Sequence, residues 1–384
     1  MEVYFDNAAT TKIIPEVRDI MLETMDVDYG NPSSVHLKGV EAENYVKQAR
    51  RIISKELKCD LNEIVFTSGG TEANNLALKG IANAYKRSGN HIITTSVEHA
   101  SVYNSVINLE EQGFRVSFLP VDSDGKILID KFKEELCEDT ILVSIMAVNN
   151  EIGTVEPIEE VARVIKEYNQ KNGKNIIFHV DAVQAFGKMK IYPKRIGINA
   201  MSMSGHKIHG PKGSGALFVD NRTRIKPILY GGGQEKGIRS GTENTTAIAG
   251  MGKAVEVAYS RLDDNVSKMM SVKNALIEGV TKLEGVTDNS GDAPHISSLS
   301  FEGVRSEVLL HALEDKGIYV SAGSACSSNH PAISGVLKSI GLDNKLLDST
   351  LRFSFNEYNT VEEAQYTVKV LEELLPMLRK FTRK

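Results

Sequence analysis

The chain has 384 residues, 41% hydrophobic and 25% charged, with a formal net charge of -5; that length allows about two or three domains with large buried cores, and the charge excludes a globally basic nucleic-acid-binding surface. No apolar run reaches bilayer-spanning length, and the opening Met1-Glu-Val-Tyr-Phe5 reads as lacking a secretion signal. The three cysteines Cys59, Cys137 and Cys326 are too few for a disulfide framework or an all-cysteine four-ligand cluster, so the expectation is a reducing cytoplasm, with no metal, no membrane and no direct nucleic-acid partner.

Apolar positions at helical spacing predict helices over 15–25 and 38–57, the second carrying Val40, Tyr45, Val46, Ala49, Ile52, Ile53 and Leu57. Glu63-Ile-Val-Phe-Thr67 reads as a short strand, and Ser68-Gly-Gly-Thr71 opens a helix running to about Arg87. Strands at 91–97, 115–119, 140–148 and 175–181 then alternate with helices over 100–112, from Asp130, and over 157–169. Such alternation predicts an α/β domain with a largely parallel sheet covered by helices. Cys59 and Cys137 fall on the predicted helical segments. The stretch 245–283 reads as one long helical spacer between two lobes. Beyond it, strands at 295–301, 318–320 and 351–355 and helices over 306–316 and 361–380 predict a smaller α+β domain, with the basic run Arg379–Lys384 as a solvated helix end.

One lysine has an unusual setting. Lys207 lies between a strand ending near Met203 and another at Ala216–Val219, flanked by His206 and His209 and enclosed by Gly205, Gly210, Gly213 and Gly215. Partly buried there, its amine would have a lowered pKa and be nucleophilic, as a Schiff base with pyridoxal phosphate requires; the bland reading is an ordinary turn lysine. Ser68-Gly-Gly-Thr71 reads equally as a phosphate cradle at a helix N-terminus or as a capped helix start. Neither a dinucleotide fingerprint nor a Walker loop is present, since Gly205-His-Lys-Ile-His-Gly210 continues into Pro211-Lys212. Asp181 ends an apolar strand, where a carboxylate could face a pyridine nitrogen or simply cap the next helix. His99 follows another strand as a ring-stacking or proton-moving candidate, and Asn149-Asn-Glu-Ile-Gly153 could hydrogen-bond a phenolic oxygen.

Taken together, Phe5-Asp-Asn-Ala-Ala-Thr-Thr11, Gly30-Asn-Pro-Ser-Ser-Val-His36, Thr67-Ser-Gly-Gly-Thr-Glu-Ala-Asn74, Glu98-His99, Val148-Asn-Asn-Glu-Ile-Gly153, His179-Val-Asp-Ala-Val-Gln184, Ser204-Gly-His-Lys207, the glycine-rich run from Gly231 to Asn244, Gly323-Ser-Ala-Cys-Ser-Ser328 and Leu351-Arg-Phe-Ser354 resemble a cysteine desulfurase of the NifS/IscS type, over essentially the whole chain. The resemblance implies the pyridoxal phosphate fold-type I, with a mainly parallel seven-stranded sheet in a large domain (15–257) and a smaller α+β domain (1–14 and 258–384) carrying the cysteine loop. It implies Lys207 as the Schiff-base lysine, Asp181 at the pyridine nitrogen, His99 over the ring, Asn150 and Gln184 at the ring oxygen, and Gly70, Thr71, Ser204 and His206 at the phosphate. Thr242 would reach the cofactor of the other subunit in a homodimer, Arg352 with Asn31 would hold the substrate carboxylate, and Cys326 would be the nucleophile.

Ser321–Asn329 has the small polar composition of a loop. The implied reaction converts L-cysteine to L-alanine and passes sulfur through Cys326 to an acceptor protein, an iron–sulfur scaffold or a tRNA-thiolation protein. A selenocysteine lyase, an aminotransferase of the same fold and a non-catalytic sulfur-acceptor scaffold are the alternatives. One departure stands out: after Arg352-Phe-Ser the family continues with Gly and Arg, whereas this chain has Phe355-Asn-Glu-Tyr358, a change expected to bear on contacts with the acceptor.

Overall fold

Short runs of Val, Ile, Leu and Phe, too apolar to leave one face in water, form the central sheet; the strand Thr140–Met146 is buried at every residue. A computed structural model of the chain describes residues 1–322 and 334–380. The sheet has seven strands in the order Ile64–Thr67, Gly215–Val219, Ala200–Ser204, Ile177–Asp181, Thr140–Met146, His91–Thr95, Arg115–Leu119. Only Gly215–Val219 runs antiparallel to its neighbours, at the hairpin that holds Lys207; the central strands pair in parallel. Parallel pairing needs crossovers, supplied here by helices that bury their apolar faces in two cores. One core takes Val46, Ile53, Val161, Ile165, Met251 and Val255 from helices 37–57, 158–172 and 245–260. The other takes Leu76, Ile81, Val102 and Val106 from helices 70–85 and 100–111.

The smaller domain has its own antiparallel sheet, in the order Ser321–Ala322, Thr350–Ser354, Ile296–Phe301, Val286–Asp288. Its core gathers Leu299, Phe301, Phe353 and Phe355 with Leu276 and Val280 from helix 262–280 and Leu371 and Leu374 from helix 361–379. The last helix starts on a capping box between Thr360 and Glu363. Val3 and Phe5 join the same core, because Val3–Tyr4 pairs in parallel with Ile318–Tyr319. The N-terminal segment therefore leaves the small domain and runs directly across the lysine hairpin.

Three expectations about elements change. The spacer 245–283 is two helices, 245–260 and 262–280, broken where Arg261 leaves helical geometry at φ -132°. The break lets the first helix pack on 15–26 and 37–57 while the second packs on 361–379; apolar spacing continues through it because both halves bury a face. Cys59 and Cys137 lie just beyond helix ends rather than on helices, the first after Lys58 turns left-handed at φ 53° and the second after helix 129–135. Val286–Asp288 is a strand that hydropathy alone misses, being a partly exposed edge. Among the described residues no helix is long and apolar enough to cross a membrane.

Candidate active site

The C-terminal ends of the parallel strands meet at one edge of the sheet, where α/β sheets hold ligands. A cavity of about 350 Å³ opens there, lined by Gly70, Thr71, His99, Asn150, Asp181, Gln184, Ser204, His206, Lys207 and Arg352, together with Asp6 and Asn74.

At one end the strand Ile64–Thr67 turns through Gly69, at φ 155°, into helix 70–85, whose N-terminus has no side-chain cap among the described residues. A Cβ on Gly215 would stand 2.6 Å from the Gly69 backbone, so glycine there permits the close approach of hairpin and turn. The Ser204 hydroxyl is buried beside this end without a hydrogen-bond partner among the described residues. Uncapped amides and an unmet hydroxyl are what an incoming phosphate satisfies. His206 adds a neutral ring: burial first, then the charges of Lys207, Lys212 and Lys188, bring it down to about 4.

Across the cavity floor, Asp181 accepts from the Val183 amide at 3.0 Å and from Asn74 Nδ2 at 2.7 Å. Gln184 is held at both ends, donating to the Ala8 carbonyl at 3.0 Å and accepting from His295 Nε2 at 3.3 Å. His295 donates there because an amide oxygen only accepts, and burial keeps the ring neutral, well below its ordinary pKa. His99 caps helix 100–111 and accepts from the Ser101 amide at 3.1 Å. The preceding Glu98 is a buried acid pushed well above the carboxylate range by desolvation; its Oε1 accepts from Thr95 Oγ1 and the Met146 amide, each at 2.9 Å, tying neighbouring strands together under His99.

Lys207 ends a single 3₁₀ turn after the strand Ala200–Ser204. Its Nζ donates to the carbonyls of Ala8 and Ala9, both at 2.6 Å. Arg352, 6% exposed, donates from Nη1 to the Asn150 carbonyl at 2.8 Å and from Nη2 to Asp6 Oδ1 at 3.0 Å. Its buried Nε has no partner among the described residues, which leaves a donor for a carboxylate in the cavity. Burial raises the pKa of Asp6, against the pull of Arg352.

The cavity thus brings together most of the residues singled out in the sequence. Thr242 is exposed and lines a separate cleft of about 120 Å³ with Thr67, Ser68 and Gly213. Asn31 is also exposed, with Oδ1 accepting from the Ser33 amide, and is not part of the cavity lining. Cys326 lies outside the described residues. Glu357, expected to bear on acceptor contacts, turns inward onto His209 at 3.2 Å. Sequence reasoning missed Asp6, Asn74, Ser101 and the Ala8 and Ala9 carbonyls; all but Ser101 lie in motifs already noted, and only their three-dimensional partners assign them a role.

These residues fit pyridoxal phosphate: an anion cradle with an unmet hydroxyl, a carboxylate on the floor and an amine at the wall. The aminotransferase class-V family model matches residues 3–367. The chain is 43% identical to the cysteine desulfurase IscS of Clostridium botulinum, with 99% of this chain and 96% of that protein covered. A solved NifS-like protein superposes with a TM-score of 0.92 at 37% identity, covering 98% of this chain and 100% of that one. The structure of SspA in complex with cysteine superposes with a TM-score of 0.81 at 35% identity, covering 93% and 100%.

Proposed function

This chain belongs to the aminotransferase class-V family and is a cysteine desulfurase, and we propose that it converts L-cysteine to L-alanine with pyridoxal phosphate held between Asp181 and Lys207, leaving the sulfur as a persulfide on Cys326. The observation that carries the reading is the cavity itself, where amine, carboxylate, uncapped helix end and the unpartnered Arg352 Nε share one space.

Pyridoxal phosphate, when bound, supplies an electron sink that makes the Cα proton of an amino acid acidic. Gly70, Thr71, Ser204 and His206 would hold its phosphate, Asp181 would serve its ring nitrogen, and Asn150 and Gln184 would serve its ring oxygen. Arg352 takes the substrate carboxylate at Nε while its Nη atoms stay anchored to Asp6 and Asn150. Lys207 Nζ, at the cavity wall, would be the base that receives the Cα proton of the bound amino acid. The Cys326 thiolate attacks the substrate sulfur, the Cβ–S bond breaks and an S–S bond forms, and the freed carbon is protonated to give alanine. Cysteine and one protein thiol become alanine and one persulfide, with no external oxidant.

Thr242 on an exposed cleft next to the phosphate-binding turn supports a homodimer in which each chain completes the other's site. Separate cores support a division into 15–257 and 1–14 with 258–384. The acceptor is a cytoplasmic protein thiol, of an iron–sulfur scaffold or a tRNA-thiolation protein.

The test separates cofactor from sulfur chemistry. Wild-type enzyme given cysteine without reductant should carry one extra sulfur on the peptide containing Cys326, seen by mass spectrometry after alkylation, with Cys59 and Cys137 unmodified. Cys326→Ser should bind the cofactor and cysteine, yet release no alanine. Full turnover by that variant would overturn the persulfide route and favour direct expulsion of sulfide.

A further inference from the structure

Beneath the cavity a single buried amide connects the two groups that would flank the cofactor ring. Asn74, 1% exposed, stands in the first turns of helix 70–85. Its Nδ2 donates to Asp181 Oδ2 at 2.7 Å and to Ser101 Oγ at 2.8 Å. Chemistry fixes which way the amide faces, because turning it over would set its carbonyl oxygen against the Asp181 carboxylate, two acceptors with no proton between them. Asn74 Oδ1 is accordingly the atom left buried without a partner among the described residues. Leaving it so disfavours the fold, which points to a use for the two donor bonds.

The second bond continues to His99. With Asn74 donating to its oxygen, Ser101 has its own proton to give, and His99 Nδ1 lies 2.8 Å away. The Ser101 main-chain amide donates to the same nitrogen at 3.1 Å. A backbone N–H can only donate, so Nδ1 is an acceptor and the proton of the neutral ring sits on Nε2. A further proton could enter only at Nδ1, where it would break both bonds. Asp181, for its part, has both oxygens engaged, by Val183 and by Asn74, which sets the plane of its carboxylate.

We propose that Asn74 is a positioning residue of the desulfurase reaction: one amide holds the Asp181 carboxylate toward the cofactor nitrogen and, through Ser101, holds His99 as a hydrogen-bond donor at Nε2. The inference rests on the cavity being the pyridoxal phosphate site. The hydrogen bonds themselves belong to the protein alone, which allows the two to be tested apart.

Asn74→Ala removes the donor and its volume, whereas Asn74→Asp keeps the volume and replaces the donor by an acceptor. Two carboxyl groups at this distance share a proton, and the protonated member can donate as the amide did. In the holoenzyme, Asn74→Ala should lower kcat by about ten- to a hundredfold, the loss typical of partners that orient a site residue, with KM for cysteine little changed. Asn74→Asp should show a descending limb absent from wild type: activity and the cofactor's visible band approach wild type at low pH and fall away with rising pH as the shared proton leaves. In the apoenzyme, the thermal midpoint of Asn74→Asp should drop relative to wild type as pH rises, since the folded pair keeps a proton that the unfolded carboxyls release near pH 4.

Because this last measurement needs no cofactor, a wild-type enzyme without a visible band would overturn the functional reading while the apoenzyme titration still decides the hydrogen bond. A residue that only fills space predicts a mild Asn74→Asp at every pH and an Asn74→Ala lowered in melting temperature alone. Either result overturns the proposal, and should Asn74→Ala not fold, the pH profile of Asn74→Asp decides.

Discussion

The two sides of the turn that carries Lys207 are built to opposite rules. In front lies a cavity of about 350 Å³ in which, among the described residues, Ser204 Oγ and Arg352 Nε have no partner and a helix N-terminus goes uncapped. Behind it only about 10 Å³ remains, between Lys188, His209 and Glu357. There, Lys188 Nζ donates to the Lys207 carbonyl at 2.7 Å, and His209 donates to the Lys12 carbonyl at 2.8 Å and to Glu357 at 3.2 Å. Burial alone would raise Glu357, but the hydrogen bond and charge of His209, with Lys188, hold it below the ordinary carboxylate range. Tyr358 closes the group, its ring edge-on to His209 at 5.3 Å. These contacts keep His209 in the left-handed region at φ 65°, where a non-glycine residue is disfavoured. Unmet polar groups in front wait for a ligand; met ones behind hold the lysine for it.

The largest effects should come from the front. Lys207→Ala should lose all measurable turnover and the borohydride-reducible visible band, while the melting temperature stays close to wild type because the contacts behind use main-chain atoms of residue 207. A variant that keeps the band would show that another amine anchors the cofactor. Arg352→Lys keeps the charge and loses the planar fork, so the three roles of Nε and the two Nη atoms cannot all be filled. KM for cysteine should rise by about ten- to a hundredfold, the equivalent of one charged hydrogen bond; an unchanged KM would move substrate binding elsewhere.

How far each side was legible in the sequence follows from what holds it. Front residues sit at strand ends, so alternating strands and helices were enough to bring Lys207, Asp181, His99 and Asn150 to one edge. Nothing comparable marks the back: His209 and Glu357 are 148 residues apart, and their pairing depends on how the small domain docks. Glu357 was visible only as a departure from a pattern, and its inward direction had no signature. Main-chain carbonyls such as those of Ala8 and Ala9 carry none either, since any residue supplies one. The break at Arg261 was hidden because no Gly or Pro marks it.

The next effect tests the back through that departure. Glu357→Arg places the family's usual cation against His209 and Lys188, where only about 10 Å³ of free space remains. Removing one partner from a buried pair typically costs about 3–5 kcal/mol, and unfolding in urea should show a loss of that order. Glu357→Gln, which keeps size and a hydrogen bond, should lose less. If Glu357→Arg is as stable as wild type, the back is held by packing rather than by charge.

The smallest effects are pH windows, and they separate the two sides without touching catalysis when measured on cofactor-free protein. Burial, with Glu357 opposing and Lys207 assisting, brings Lys188 down to about 8 from an ordinary 10.5. Between those values the unfolded chain holds a proton that the folded protein has released, so unfolding takes up protons and stability rises with pH. One group contributes at most about 1.4 kcal/mol per pH unit, and Lys188→Met should flatten the wild-type slope across this alkaline window by up to that amount. His206 in front obeys the same sign in a different window, with a folded value of about 4 against an ordinary 6.5. Its stability contribution is lost as pH falls from 6.5 toward 4, and His206→Asn should remove that acid-side slope, by less, because the ring is only partly buried. His206→Asn should leave the alkaline window unchanged, whereas Lys188→Met should also move the acid window slightly upward, because the charge of Lys188 is the last and smallest of those that hold the His206 ring down. An acid window that Lys188→Met leaves untouched would mean that front and back are two electrostatic units rather than one.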